Sequence, residues 1–235
     1  MLPSFKDCCT VFSNYDIDNF DLTKYSLLNT YSEFLVEYNN KVNLTAIIDP
    51  VEILIKHFID SILPLSFINI PLNASLIDVG TGAGFPSIPI KIFRPDLKIT
   101  LLDSLDKRIV FLRILCEKLK IEADFIHGRA EDISKIPNYR ECFDFSCARA
   151  VANLSVLSEY CLPFVKIGGS FFSLKGPNED ITLANDAISV LGGNLCDINE
   201  YEVDGEGRRL IQIKKVFPTP SKYPRNSAQI KKKPL

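Results

Sequence analysis

Five short apolar runs separated by helical patterns constrain this chain most. Leu76 to Val79, Ile99 to Leu102, Asp124 to Ile126, Phe143 to Cys147 and Ser170 to Leu174 read as strands, with helical spacing at 86–93, 105–119, 151–164 and 179–191 between or after them. Strand and helix in alternation predict a mostly parallel sheet covered on both faces, an α/β fold. Leu195 to Val203 and Arg208 to Phe217 flank Asp204-Gly205-Glu206-Gly207, a turn signal that predicts a C-terminal antiparallel hairpin. Ahead of the strands, Leu28, Tyr31, Leu35, Tyr38 and Val42 recur at helical spacing, so a helix is expected up to Asn39 or Asn40. Asp49-Pro50-Val51-Glu52 starts a second helix, to about Leu63: an acid at the cap, Pro at the first turn and an acid three residues after the cap. The division expected is a helical extension over 1–70 and a ligand-binding α/β domain over 71–235.

The sharpest local feature is the turn that follows the first strand, Leu76-Ile77-Asp78-Val79-Gly80-Thr81-Gly82-Ala83-Gly84-Phe85-Pro86. Backbone without side chains at the carboxyl end of a strand lets a ligand approach closely. A dinucleotide fingerprint places its third glycine at 85, where this chain has Phe, and the glycines fall at 80, 82 and 84 instead. That spacing argues against NAD. A nucleoside with an amino-acid tail and no pyrophosphate, the shape of S-adenosylmethionine, suits it better. Asp78 can orient the loop or a ligand ammonium.

Nineteen residues after Gly84 comes Asp103, at the end of the second strand, where a carboxylate can accept both ribose hydroxyls. After the third strand, Ala130 and Glu131 can frame an adenine, with the Glu131 region receiving its amino group and Asp132 as the competing acid. After the fourth, Arg149 lies where transferred group and acceptor should meet, and its cation suits a cofactor or an RNA phosphate. Cap and ion-pair roles remain open for these polar residues. His127 precedes the adenine loop without belonging to it.

Net charge is only −2, yet it is distributed unevenly. From residue 207 onward there are nine bases and no acid, whereas 1–206 carry 18 bases and 29 acids. Such a segment has the character of a phosphate-backbone contact, with Phe217 and Tyr223 able to stack on unpaired bases or to pack on the core. The seven cysteines show no C-x-x-C spacing, so reduced thiols are expected and no metal site. No apolar run approaches the ~20 residues of a membrane span, and the first ten residues lack an export signal; a cytoplasmic protein is expected.

Absent motifs narrow the chemistry. No Asn/Asp-Pro-Pro-Tyr/Phe follows the fourth strand, so the usual pocket for exocyclic amine methylation is missing. Cys147 lacks the preceding Pro of a pyrimidine-C5 nucleophile and reads as a small buried strand residue. An acceptor with a free lone pair, such as guanine N7, loses no proton on methylation, so positioning suffices.

The chain resembles the RsmG (GidB) family of bacterial 16S ribosomal RNA guanine-N7 methyltransferases from about Tyr31 to Leu235. The resemblance is carried by Asn43-Leu44-Thr45-Ala46-Ile47, Lys56-His57-Phe58-Ile59-Asp60-Ser61, Asp78 to Pro89, Leu101 to Ser104 with Lys107-Arg108 and Phe111-Leu112, Gly128 to Glu131, Ala148 to Ala152 and Lys222-Tyr223-Pro224-Arg225. It implies a Rossmann-like class I S-adenosylmethionine-dependent methyltransferase fold, with cofactor contacts at Gly80, Gly82, Phe85, Asp103, Ala130, Glu131 and Arg149. It also implies that 56–61 borders the pocket. The implied partner is 16S ribosomal RNA or the small ribosomal subunit, met by a monomer through Arg149, Lys222, Arg225, Lys231, Lys232 and Lys233. Two departures stand out: Ser87 replaces a glycine of the family pattern, and Asn226-Ser227-Ala228-Gln229 replaces a glycine-containing end. A methyltransferase of small molecules, a non-catalytic nucleotide-binding regulator and an NAD-dependent oxidoreductase are the competing functions.

Overall fold

Seven strands form one sheet in the order β3-β2-β1-β4-β5-β7-β6. The computed structural model describes residues 1–149 and 152–235. Ala150 and Val151, within the resemblance stretch at 148–152 and at the start of the helix expected from 151, lie outside them. The strands are β1 (Ser75–Val79), β2 (Lys98–Asp103), β3 (Asp124–His127), β4 (Phe143–Arg149), β5 (Val165–Lys175), β6 (Gly193–Val203) and β7 (Glu206–Lys215). β1 to β5 run parallel, β7 returns antiparallel on β5, and β6 pairs antiparallel with β7. The chain builds outward from β1 through β2 to β3, then crosses back to lay β4 on the other side of β1. The order reverses between β1 and β4, and ligands of open α/β sheets bind at such a switch point, outside the carboxyl ends of the strands.

The helices are α1 (Phe5–Ser13), α2 (Leu22–Asn39), α3 (Pro50–Glu52), α4 (Asp60–Ile62), α5 (Ser87–Phe93), α6 (Asp106–Leu119), α7 (Ala130–Ile133), α8 (Leu154–Cys161), α9 (Asn185–Val190) and α10 (Ser227–Lys232). Strand alternation sorts their contacts into two layers. Leu76, Phe145 and Phe172 join a cluster with Leu28, Phe58, Ile88 and Leu112, while Ile77, Ala148 and Phe171 join Leu157, Ile188 and Ile230. The first cluster also holds Leu2, Cys8 and Phe12, so core packing crosses the 70/71 division. α1, which periodicity did not reveal, is capped by Ser4 and stacks Phe12 on Phe20 at 4.0 Å and on Phe93 at 5.7 Å.

The second expected helix is present with an altered interior. Asp49 caps it, accepting from the Val51 and Glu52 amides at 2.9 and 3.0 Å, with Pro50 at its first position. A π-helical turn over Ile53–Ile59 then joins α3 to α4. π turns concentrate at functional sites. The hairpin turn is shorter than its composition suggests. Asp204 and Gly205, with φ of 54° and 72°, make a two-residue turn, and Glu206 and Gly207 already belong to β7.

Candidate functional site

Three cavities run side by side across the strand tips. The first, about 350 Å³, lies among Gly80, Asp103, Ala130, Glu131 and Tyr160. The second, about 390 Å³, shares Gly80 and Asp103 with it and adds Gly82, Phe85, His57 and Arg149. The third, about 320 Å³, shares His57 and Arg149 with the second and adds Lys56, Asp60, Lys175 and Arg208. Asp103 therefore stands on the wall between the first two cavities, and Arg149 with His57 on the wall between the last two.

Asp103 organises the glycine loop. Its Oδ2 accepts from the Gly82 amide at 2.9 Å and from Arg108 Nη1 at 3.2 Å, and its Oδ1 accepts from the Leu105 amide at 2.9 Å. A carboxylate offers about four lone-pair sites, and three are taken. Asp103, expected to accept both ribose hydroxyls, thus already carries three donors of the chain itself. Asp78, fully buried, has a second loop-holding role: Thr81 Oγ1 donates to its Oδ2 at 2.9 Å. Burial pushes its carboxyl up to about 7, against the opposing effects of Thr81, Ser87 and Arg149. Asp78 lines none of the three cavities, so orienting the loop, and not a ligand ammonium, is the role the geometry gives it.

Gly84 is fixed by close approach. A Cβ there would meet Ile88 Cδ1 at 2.6 Å and the Tyr31 hydroxyl at 2.9 Å, at a φ of +99°. Tyr31 itself donates to the Ala83 carbonyl at 2.5 Å and stacks on Phe85 at 5.2 Å, so α2 buttresses the loop from behind. Ser87 is fully buried with its hydroxyl 3.4 Å from Cys147 Sγ, so the side chain added at this position is accommodated. Cys147 is a buried strand residue as expected, and burial holds its thiol well above the usual range. The cysteines are all free thiols.

Phe85 is covered on several sides. The His57 ring stacks on it at 4.4 Å and the Arg149 guanidinium lies 4.9 Å from its centroid. Arg149 Nη1 donates to Asp60 Oδ2 at 2.9 Å, and Nη2 meets His57 Nδ1 at 3.4 Å. A guanidinium only donates, so His57 Nδ1 accepts and its Nε2–H faces Thr45 Oγ1 at 2.8 Å. Burial, then Arg149, lowers the His57 pKa to about 3. The ring is neutral at physiological pH, an oriented wall and not a base.

On the other flank, Glu131 is buried and its Oε1 has no hydrogen-bond partner; the Arg129 guanidinium is 4.0 Å away. A buried acceptor left open beside a cavity suits a ligand amino group. Among the described residues no group of three or more His, Cys, Asp or Glu is placed to hold a metal ion, and no helix is long and apolar enough to cross a membrane.

Residues 24–206 match the family model for GidB, rRNA small subunit methyltransferase G. The chain belongs to the GidB family. The ribosomal RNA small subunit methyltransferase G of Desulforamulus reducens is 49% identical over 223 residues, covering 92% of this chain and 93% of its own. The protein of the same name from Clostridium botulinum strain Loch Maree is 50% identical over 222 residues, with the same coverage. Two solved structures share the fold at low identity. Thermus thermophilus TrmN superposes with a TM-score of 0.53 at 17% identity, over 69% of this chain and 53% of its own. M. jannaschii TYW2, solved in complex with AdoMet, gives 0.53 at 13% identity over 68% and 76%. The fold is that of class I methyltransferases.

For this GidB member, the structure brings together the seven residues read as cofactor contacts: each lines the first or the second cavity. The basic segment divides. Lys222 is exposed beside the Tyr223 ring, Lys232 and Lys233 are exposed, and Lys231 borders the first cavity. Tyr223 packs in the core, while Phe217 is exposed. Arg225, read as an RNA contact, is bound to the buried carboxylate of Glu159, with Nη2 to Oε2 at 2.6 Å. His127 sits exposed at the tip of β3, 3.7 Å from Asp106. Sequence reasoning passed over Tyr31, which looks like any other apolar residue of its helix, and Arg208, whose Nε donates to Asp60 Oδ1 at 3.2 Å. Only its membership of the basic segment marked Arg208 out.

Proposed function

We propose that this protein transfers a methyl group from S-adenosylmethionine to N7 of a guanine in 16S ribosomal RNA, acting as a monomer in the cytoplasm. The observation that carries the reading is the continuity of the three cavities across the switch point: two suited to the donor, and a third, cationic one reached past Arg149 and His57. The donor side fits its ligand. Gly82 leaves its Cβ position open, with nothing nearer than the Gly80 carbonyl at 4.0 Å, and Glu131 keeps an unpartnered acceptor where an adenine amine would donate. Gly80, Gly82, Phe85, Asp103, Ala130, Glu131 and Arg149 would hold it.

When bound, S-adenosylmethionine supplies an electrophilic methyl carbon on a sulfonium. The residues that would hold it would present that carbon to guanine N7, which already carries a free lone pair. No proton leaves the base, which agrees with a site whose one buried histidine is neutral and fully engaged. The chain's part is positioning: the loop and Asp103 fix the donor, and Asp60 holds Arg149 at the boundary with the acceptor. The exposed lysines of the C-terminal segment would meet the RNA backbone.

Calorimetry with S-adenosylmethionine against NAD tests the ligand, with binding of the first alone expected. Mass mapping of 16S ribosomal RNA from cells lacking the protein tests the reaction, with loss of one N7-methylguanine expected. Unchanged modification in those cells overturns the reading.

A further inference from the structure

One wall of the first cavity comes from neither the glycine loop nor the strand tips. Ser227, Lys231 and Pro234, from the C-terminal end of the chain, line it together with Asp103 and Glu131. Something must hold this end in place, because α10 has only six residues and cannot be stable alone.

The attachment begins at Glu159 on α8, fully buried, where an unpaired carboxylate would be strongly destabilising. Arg225 satisfies it almost alone. Its backbone amide donates to Oε1 at 2.7 Å, Nε to Oε1 at 3.0 Å and Nη2 to Oε2 at 2.6 Å. The remaining Nη1 donates to the Lys233 carbonyl at 2.9 Å. One guanidinium thus ties α8 to the residue before α10's cap and to the residue just past its end. Asn226 caps the helix by accepting from the Gln229 amide at 2.9 Å, and Ile230 is fully buried in the core beneath it. Upstream, Arg140 fixes the approach of the chain, donating to the Tyr223 carbonyl at 3.0 Å and the Thr219 carbonyl at 2.7 Å. Tyr160, next to Glu159 on α8, lines the same cavity.

We propose that α10 is a built wall of the adenosyl site and that Glu159 and Arg225 are positioning residues for the cofactor, a role that rests on the donor site proposed above. The clamp acts through α10 and touches no ligand itself. Arg225 then affects the reaction from the donor side, although it lies in the segment whose charge points to RNA.

The full-length protein is titrated calorimetrically with S-adenosylhomocysteine, its rRNA affinity is measured by filter binding, and thermal unfolding is followed with and without ligand. A wild type that binds no S-adenosylhomocysteine overturns the donor site and this proposal with it. Given wild-type binding, Arg225→Lys and Glu159→Gln are expected to raise its Kd about tenfold and to shrink the ligand-induced rise in Tm. The KM for S-adenosylmethionine rises while kcat and the KM for rRNA stay within about twofold, a split that general loss of stability would not produce. Should either variant fail to fold, Ile230→Ala loosens the same wall from α10's own anchor and is expected to weaken S-adenosylhomocysteine binding in the same way. Folded variants that bind S-adenosylhomocysteine as the wild type does overturn the clamp. So does Arg225→Lys losing rRNA affinity alone, which makes Arg225 an RNA contact.

Discussion

Asp78 and His57 are buried titratable groups flanking the glycine loop, and their protonation pulls stability in opposite directions. Asp78 keeps its proton in the folded chain up to about 7, whereas its ordinary value is 3.8. The folded state binds the extra proton between those values, so the Asp78 contribution is present at low pH and lost as pH rises to 7. His57 stays neutral down to about 3 when folded, against an ordinary 6.5. Its contribution is present above 6.5 and lost as pH falls towards 3. Each change corresponds to at most roughly 5 kcal/mol, and in the wild type the two largely cancel between pH 4 and about 6.5. His57→Gln is therefore expected to leave a stability that falls from pH 4 to 7, and Asp78→Asn one that rises from pH 3 to 6.5, both read from urea midpoints. Parallel profiles in the two variants would contradict this. Asp103→Ala removes the anchor of Gly82 together with the proposed ribose acceptor, and about 100-fold weaker cofactor binding is expected, equivalent to roughly 3 kcal/mol. That Asp103 and the glycines lie together was legible because they sit on one strand tip and the turn beside its neighbour. Tyr31 was not, because its bond to Ala83 spans 52 residues of sequence and nothing in a helical repeat distinguishes one tyrosine from the next.

At the scale of elements, local signals located helices and strands where one face is apolar and ends are capped. Asp49 and Pro50 started their helix where expected, and the five parallel strands fell on the runs read for them. The π turn at 53–59 was not legible. Its altered hydrogen bonding accompanies tertiary contacts: His57 to Thr45, Phe85 and Arg149, and Asp60 to Arg149 and Arg208. α10 was invisible for a related reason, since its anchor Glu159 lies 66 residues before Arg225. The hairpin offers a test that separates local from tertiary control. At Gly205 a Cβ would meet nothing within 4 Å, so Gly205→Ala carries only the cost of a left-handed φ of 72°, about 1 kcal/mol, with activity unchanged. Gly84→Ala meets Ile88 and Tyr31 as well and is expected to cost several times more and to weaken cofactor binding. Equal urea midpoints for the two variants would refute the role given to Tyr31.

For the whole molecule, the basic C-terminal segment looks different once folded. Of its nine bases, Arg208 pairs with Asp60 and Glu206, Arg209 with Glu200, Lys215 with Glu141 and Arg225 with Glu159. These four cations neutralise acids of the preceding chain and fasten the hairpin and tail to the sheet. Lys214, Lys222, Lys231, Lys232 and Lys233 are exposed and, among the described residues, form no ion pair. A linear count of charge overstates what RNA can meet, because folding has already given nearly half of the segment carboxylate partners. Each phosphate neutralised contributes about −0.7 to −0.9 to the slope of log K against log salt. The segment should then contribute a slope of roughly −4, where nine free cations would give about −7. Lys222→Glu, outside α10 and its clamp, is expected to make the slope shallower by about 1 without changing S-adenosylhomocysteine affinity. A wild-type slope near the nine-cation value would mean that the four ion pairs open when RNA binds, and that α10 leaves the donor cavity in the complex.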